Sequence, residues 1–144
     1  MTETVITNWV GDMVFESVIE GFKMTMDSDE QYGGTHKGPR PKPVFLGALA
    51  GCTGMDVIAI LRKKKVNTDS LKISVSGELA EEYPKLYRKI HIIFEFRGAG
   101  FKDNADVQAK AERAVKLSQD TYCALSAMIK NSCEITNEIV LLDS

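Results

Sequence analysis

The segment from Pro43 to Lys65 constrains the fold of this chain more than any other part of the sequence. Its apolar residues fall on every side of a helix: Val44, Phe45, Leu46, Leu49, Met55, Val57, Ile58, Ile60 and Leu61. A helix that is apolar all round belongs in a protein interior, so the segment predicts a long, buried central helix over residues 43–65. Pro43 suits the first helical turn, and the basic run Arg62 to Lys65 complements the negative end of the helix dipole.

Length, composition and charge exclude several classes of protein. The chain has 144 residues, 44% of them hydrophobic, which is enough apolar material for one core. A net charge of −2 gives no clustered basic surface for nucleic acid or anionic lipid. The start of the chain has no secretory signal pattern, and Asp56 with three glycines interrupts the longest apolar run. We expect a cytoplasmic protein with neither a nucleic-acid nor a membrane partner.

The N-terminal part of the sequence predicts short strands followed by a loop. Three β-like runs within residues 1–27 are separated by two-residue turns at 11–12 and 20–21, which predicts a three-stranded meander. Residues 28–42 are rich in Asp, Gly, Pro and Lys and predict a long loop. Loops of this length in compact domains more often carry a function than serve only as connections, although a mobile linker is the alternative.

The C-terminal part, residues 66–144, predicts strands, two helices and a final strand. Apolar and polar residues alternate over 71–79 and again over 90–97, which is typical of half-buried strands. Two segments with apolar residues at helical spacing follow, and the last strand is predicted over residues 134–142. Without strict βαβ alternation, this order predicts one α+β domain over residues 1–144, with mainly antiparallel sheets around the central helix.

Three cysteines are the candidate chemical groups. Cys52 lies on the predicted central helix between small residues that leave its sulfur approachable, although a buried cysteine is more often an inert packing residue. Cys123 lies three residues after Asp120, which we interpret as a helix N-cap, and the positive end of that helix would lower the thiol pKa. Cys133 is assigned to packing.

The sequence predicts no metal site. It has no Cys-x-x-Cys motif and no paired histidines, and these are the usual zinc patterns. His36 and His91 lie far from the cysteines in sequence, and we interpret both as exposed residues.

Several runs of the sequence resemble the OsmC/Ohr family of organic hydroperoxide reductases, and most closely its OsmC-like members. The matching residues are Gly33-Gly34, Gly38-Pro39, Pro41, Leu46 to Ile58, Glu82-Tyr83-Pro84, Tyr87, Ile90, Ala114 to Ser118 and Tyr122-Cys123. The resemblance covers nearly the whole chain. It implies an OsmC-like α+β fold assembled as an intertwined homodimer, with two central helices packed between sheets and active sites at the subunit interface.

The resemblance also implies a thiol chemistry. By position, Cys52 corresponds to the peroxidatic cysteine and Cys123 to the resolving cysteine. The implied activity is reduction of organic (alkyl or lipid) hydroperoxides to alcohols through a Cys52 sulfenic acid and a Cys52–Cys123 disulfide. An external dithiol, in the family often a lipoylated protein, would reduce the disulfide, and no metal, haem or flavin cofactor is implied.

One part of the family pattern is missing. The family pairs the peroxidatic thiolate with an Arg, which a Glu holds just ahead of the central helix. The corresponding run here, Pro41 to Val44, lacks the Glu. Arg40 is the nearest candidate cation, Lys37 and Lys42 are alternatives, and all three could instead be solvated loop charges.

This departure keeps two other functions open. One is a non-catalytic OsmC-fold protein that binds an apolar ligand or partner at the dimer interface. The other is a redox switch, in which disulfide formation changes the dimer.

Overall fold

A computed structural model describes all residues of the chain, 1–144. The chain divides into two compact units, residues 1–45 and 46–144. The strands are β1 (Ile6–Trp9), β2 (Phe15–Ile19), β3 (Phe22–Met26), β4 (Ser70–Leu79), β5 (Tyr87–Arg97) and β6 (Glu134–Leu142). The helices are α1 (Pro41–Lys63), α2 (Ala105–Leu117) and α3 (Ala124–Ile129), with a 3₁₀ turn at Glu30–Tyr32 and a π-helical turn at Ser118–Tyr122. The predicted α+β class is confirmed.

The first unit contains a meander in which β2 pairs antiparallel with both β1 and β3. Glu20 and Gly21 connect β2 to β3 with φ angles of 50° and 85°. Two successive left-handed residues are what a tight two-residue hairpin turn needs, because their twist matches that of the flanking strands. The turn residues in the sequence therefore determine this sheet locally.

Asp27 holds the loop that follows β3. Its buried carboxylate accepts the N–H groups of Ser28 (2.7 Å), Thr35 (3.0 Å) and Lys37 (3.2 Å), and also the hydroxyl of Thr35 (3.1 Å). These bonds, led by the N–H of Thr35, lower the pKa of Asp27. One side chain thus supplies the acceptors that this loop would otherwise lack.

Helix α1 begins and ends two residues earlier than the sequence predicts, at Pro41 and Lys63. Four of its residues at four-residue spacing are fully buried: Leu49, Thr53, Val57 and Leu61. Met55, by contrast, is 76% exposed. By length and composition, the helix could also cross a membrane, although Asp56 and three glycines interrupt it. A buried core helix of a soluble protein has the same length and composition.

The second unit contains a sheet in the order β4-β5-β6. Strands β4 and β5 form an antiparallel hairpin, whereas β6 pairs parallel to β5 after the chain returns through α2 and α3. Alternate residues of β5 are buried, namely Ile90, Ile92, Phe94 and Phe96. Period-two alternation thus places one face of β5 in the core, as the sequence predicts.

Candidate active site

Cys52 lies in the middle of α1, directly before the fully buried Thr53, and its own side chain is half-buried. Two residues later, a Cβ on Gly54 would come within 2.8 Å of the Ile73 side chain on β4. Gly54 therefore lets this part of the helix pack close to the sheet. A Cβ on Gly51 would instead meet open space, so the helix backbone before the cysteine is uncovered within the chain.

Cys123 lies where the chain leaves the π-helical turn and enters α3. Its N–H donates to the carbonyl of Ser118, five residues earlier (2.8 Å), and its Sγ accepts the N–H of Ser126 (3.5 Å). Cys123 is therefore the N-cap of α3, and the prediction that Asp120 caps this helix is wrong. Because the π-helical turn carries the chain past residue 120, Asp120 accepts a bond from Lys116 instead (2.7 Å).

The fold brings the two predicted redox cysteines together. The Sγ of Cys123 donates toward the Sγ of Cys52 across 3.1 Å, and both residues are free thiols. A disulfide needs a sulfur separation of about 2.05 Å, so a movement of about 1 Å would close the bond. Cys133 is buried elsewhere, and its Sγ donates to the carbonyl of Glu134 (3.7 Å). The arrangement can therefore exchange between a dithiol and a disulfide at 52 and 123.

A chain of polar side chains lies beside the cysteine pair. Ser126 Oγ donates to Gln119 Oε1 (3.0 Å), and Gln119 Nε2 donates to Thr53 Oγ1 (3.0 Å). The hydroxyls of Thr53 and Ser118 are 2.8 Å apart, and Ser118 Oγ donates to Asp56 Oδ2 (3.0 Å). Since a hydroxyl has one proton and Ser118 directs its proton at Asp56, Thr53 is the donor to Ser118. All four bonds therefore point toward the Asp56 carboxylate.

The surroundings of Cys52 disfavour its thiolate. Burial, the leading cause, and the negative charge of Asp56 raise the pKa of Cys52 above its ordinary value of 9.0. The N–H of Leu125 acts in the opposite direction. These groups include a carboxylate and no cation, so Cys52 is mainly a neutral thiol at pH 7.

The predicted cation, Arg40, directly precedes α1 and belongs to the first unit. Its guanidinium pairs with Asp29 (Nη1–Oδ2, 3.9 Å), and its side chain is more than half exposed. The backbone N–H of Lys37 bonds to Asp27. The role of Arg40 in activating Cys52 stays a prediction.

The two histidines bond to residues other than the cysteines. His36 pairs with Glu30 in the loop after β3. The ring of His91 bonds to Thr136 (2.7 Å) and Glu138 (3.3 Å) on the neighbouring strand β6. No three His, Cys, Asp or Glu side chains are grouped as ligands of a metal ion.

A cavity of about 440 Å³ lies between α1 and the end of α2. Its lining residues are Asp56, Ala59, Ile60, Lys63, Lys64, Leu117 and Tyr122. Asp56 also ends the polar chain beside the cysteines, and Tyr122 directly precedes Cys123. The cavity therefore shares residues with the surroundings of the thiol pair.

The row of hydrogen-bonded polar side chains from Ser126 to Asp56 was not predicted from the sequence. Thr53, Asp56 and Ser118 fall within the runs that carry the family resemblance, which was the one available signal for them. Gln119 and Ser126 gave no signal, because nothing in a sequence shows that they lie against α1.

Fold and site together define an α+β protein with a closely spaced pair of thiols, one on its central helix α1 and one at the N-cap of α3. A family model described as "OsmC-like protein" matches residues 34–138. The chain therefore belongs to the OsmC-like family, and the resemblance inferred from its sequence is confirmed.

Individual relatives agree with this assignment. "Protein YhfA" of Escherichia coli K12 is 31% identical over 131 residues, which cover 90% of each chain. A hypothetical protein from Aquifex aeolicus VF5 superimposes with a TM-score of 0.84 at 28% identity, covering 100% of this chain and 98% of that chain. The organic hydroperoxide resistance protein OhrB of Bacillus subtilis has a TM-score of 0.67 at 16% identity, with 96% and 98% coverage, and is similar in fold.

Proposed function

We propose that this protein is a thiol-dependent peroxidase that reduces organic hydroperoxides, alkyl or lipid, to alcohols. The observation that carries the proposal is the 3.1 Å separation of the Cys52 and Cys123 sulfur atoms. Solved structures of similar fold are named organic hydroperoxide resistance proteins, which supports a hydroperoxide as the oxidant.

Cys52 acts as the attacking residue. Its thiolate displaces alkoxide from the distal peroxide oxygen, so that the O–O bond breaks and the alkoxide takes a proton and leaves as the alcohol. Cys52 is then a sulfenic acid. The Cys123 thiol displaces water from that sulfur and forms the Cys52–Cys123 disulfide.

The sulfur atoms carry both electrons, so this mechanism requires no metal, haem or flavin. An external dithiol, either a small molecule or a lipoylated protein, reduces the disulfide by thiol–disulfide exchange and restores both thiols.

Activation of Cys52 needs a cation, because burial and the charge of Asp56 raise the pKa of its thiol. We assign this role to Arg40. Its ion pair with Asp29 is exposed and long, at 3.9 Å, so giving it up costs about 1 kcal/mol or less. Arg40→Ala should then slow the first oxidation of Cys52, while Lys37→Ala tests the alternative.

The cavity that includes Asp56 favours an apolar substituent on the peroxide. Ala59, Ile60 and Leu117 contribute apolar side chains to its wall, together with Tyr122, which directly precedes Cys123 in the sequence. An alkyl or lipid chain gains free energy by burial against such walls, whereas hydrogen peroxide gains none. Organic hydroperoxides should therefore react faster than hydrogen peroxide.

Exposed apolar surface supports the homodimer. In the register of the first sheet, Trp9, Phe15 and Phe22 lie on the same face, and they are 65%, 41% and 79% exposed. Monomers rarely leave several large aromatic side chains of one small sheet open to water. We propose that a second copy of the chain covers this face.

A second candidate function is binding without catalysis, and the raised pKa of Cys52 favours it, because a neutral thiol is a poor nucleophile. The protein would then hold an apolar ligand at the dimer interface. The same cysteine pair would also serve a redox switch, in which the disulfide alters the dimer. Unreactive thiols with a bound apolar ligand would favour the first alternative, and a change in oligomeric mass on oxidation the second.

The proposed peroxidase is tested by mixing reduced protein with one equivalent of cumene hydroperoxide, or separately of hydrogen peroxide. The cysteines are then mapped by mass spectrometry. We expect a Cys52–Cys123 disulfide that forms faster with cumene hydroperoxide. Wild-type protein with both thiols still reduced would contradict the proposal.

Cysteine variants assign the two steps. Cys52→Ser should abolish turnover, and Cys123→Ser should stop after one oxidation with a Cys52 sulfenic acid that dimedone traps. Cys133→Ala is the matched control and should keep its turnover, because Cys133 does not contact the pair. Turnover retained by Cys52→Ser would exclude Cys52 as the attacking residue.

A further inference from the structure

We propose that Gln119 is a positioning residue that holds the Cys123 sulfur against Cys52, as a member of a one-way hydrogen-bond chain that runs from Ser126 to Asp56. The inference deepens the proposed function and rests on it for its catalytic consequence. The geometry on which it depends lies wholly within residues 46–144.

Gln119 bridges the two cysteine segments with its single amide group. Its Nε2 donates to Thr53 Oγ1 (3.0 Å), and Thr53 is the residue next to Cys52. Its Oε1 accepts from Ser126 Oγ (3.0 Å), and the N–H of Ser126 donates to the Cys123 sulfur (3.5 Å). One side chain therefore ties the middle of α1 to the cap of α3.

The Asp56 carboxylate determines which atom donates in each hydrogen bond between Ser126 and Asp56. An ionised carboxylate only accepts hydrogen bonds, so it takes the one proton of Ser118. Thr53 must then give its proton to Ser118, which leaves the Thr53 oxygen to accept from Gln119. The amide of Gln119 is thereby oriented with its NH₂ toward Thr53 and its oxygen toward Ser126.

The backbone near Cys123 explains why such a tie is needed. The cysteine follows a π-helical turn, whose closing bond joins the Cys123 N–H to the carbonyl of Ser118 within the same segment. That bond does not reach α1. Without Gln119, two of these polar bonds would still join the turn to α1. Both are made by Ser118, one to Thr53 and one to Asp56.

The consequence concerns the second chemical step. Condensation of the Cys52 sulfenic acid with Cys123 depends on how closely the two sulfur atoms are held, since a positioned group reacts at a high effective concentration. Attack of Cys52 on the peroxide does not use Cys123. Loss of the Gln119 bonds should therefore slow disulfide formation and leave the first oxidation unchanged.

The test compares Gln119→Leu, which removes both bonds, with Gln119→Glu, which keeps the acceptor toward Ser126 but removes the donor toward Thr53. Gln108→Leu is the matched control, since Gln108 lies on α2, which leads directly into the π-helical turn of Gln119, and bonds to the exposed Glu112. The first measurement is the equilibrium of the Cys52–Cys123 pair with reduced and oxidised glutathione, which needs no peroxide.

We expect the equilibrium constant for disulfide formation to fall about tenfold in Gln119→Leu, a shift of about 30 mV to a less negative potential. The fall should be smaller in Gln119→Glu and absent in Gln108→Leu. The second measurement uses cumene hydroperoxide with rapid quenching. There, Gln119→Leu should oxidise Cys52 at the wild-type rate and form the disulfide about tenfold more slowly.

The outcomes separate this inference from the proposed function. Folded Gln119 variants with the wild-type glutathione equilibrium would overturn the positioning role, even if the wild type is a peroxidase. A wild type that does not react with cumene hydroperoxide would overturn the peroxidase, while the glutathione equilibrium would still decide the role of Gln119. If Gln119→Leu does not fold, Gln119→Glu carries the same comparison, because it preserves size and the Ser126 contact.

Discussion

The hydroxyl oxygens of Thr53 and Ser118 lie 2.8 Å apart in the protein interior, although 65 positions separate the two residues. Neither residue is exposed to solvent. Their bond joins the central helix α1 to the end of α2. The Ser118 hydroxyl in turn donates a hydrogen bond to the Asp56 carboxylate. A buried polar chain of this kind stabilises a fold only while each member has its partner.

Ser118→Ala should therefore lower the free energy of unfolding by about 1–3 kcal/mol, because the buried Thr53 hydroxyl loses its acceptor and Asp56 loses a donor. Urea denaturation measures the change. The control is Ser74→Ala on the exposed side of β4, which should stay within about 0.5 kcal/mol of the wild type. An equal, small effect in both variants would show that the polar chain adds nothing to stability.

Asp56→Asn should lower the pKa of Cys52, because one cause of the raised pKa is the negative charge of that carboxylate. The rate at which iodoacetamide alkylates Cys52, followed against pH, reports the thiolate directly. Its midpoint should move to lower pH in Asp56→Asn and stay in place in Asp106→Asn, an exposed carboxylate paired with Lys110. An unmoved midpoint in Asp56→Asn would mean that this charge does not act on the thiol.

The raised pKa of Cys52 also determines how the stability of the fold depends on pH. The folded state binds the Cys52 proton more tightly than the unfolded chain, whose thiol titrates near 9.0. The resulting stability is fully present below that pH and is lost as the pH rises through the folded pKa.

Local patterns in the sequence predicted local structure well. The two-residue turn at 20–21 and the strict alternation of β5 were predicted, because both signals depend on near neighbours. The predicted two-residue turn at 11–12 is wrong, because residues 10–14 connect β1 to β2. The parallel pairing of β6 with β5 was not predicted, since periodicity shows that a strand has a buried face but not which strand it pairs with. The α3 cap was placed at Asp120 for a related reason, because a π-helical turn leaves no recognisable sequence pattern.

The candidate site was predicted only through resemblance. Cys52 and Cys123 were paired because of the family pattern, and only the fold shows their sulfur atoms 3.1 Å apart. Gln119 and Ser126 are ordinary polar residues in a helical stretch, and their bonds exist because distant segments meet there.

Asp27→Asn should loosen the loop after β3, because a neutral amide oxygen is a weaker acceptor than a carboxylate, and the amide nitrogen would face the N–H group of Ser28 or those of Thr35 and Lys37. Faster hydrogen exchange at the N–H groups of Thr35 and Lys37 is the expected result. Asp12→Asn, an exposed turn residue of the same unit, is the control and should leave both exchange rates unchanged. Wild-type exchange in Asp27→Asn would contradict the assignment.

Acid should have the same effect on the wild type. The pKa of Asp27 is lowered from 3.8 on folding, so its contribution to stability is present above that pH and is lost as the pH falls through the folded pKa. Exchange at Thr35 and Lys37 should therefore accelerate in that acidic range, after correction for intrinsic rates.

Phe22→Asp should dissociate the proposed homodimer. Phe22 is 79% exposed within the chain, on the same face as Trp9 and Phe15, and a charge there would be buried unpaired beneath a second copy. Burying an unpaired charge costs several kcal/mol, so the dimer dissociation constant should rise about 100-fold or more. Light scattering should then give the 15.9 kDa mass of one chain.

The control is Asn8→Asp, which adds the same charge to the opposite face of this sheet and should leave the mass unchanged. A dimer of wild-type affinity in Phe22→Asp would place the interface elsewhere, and a monomeric wild type would contradict the homodimer itself.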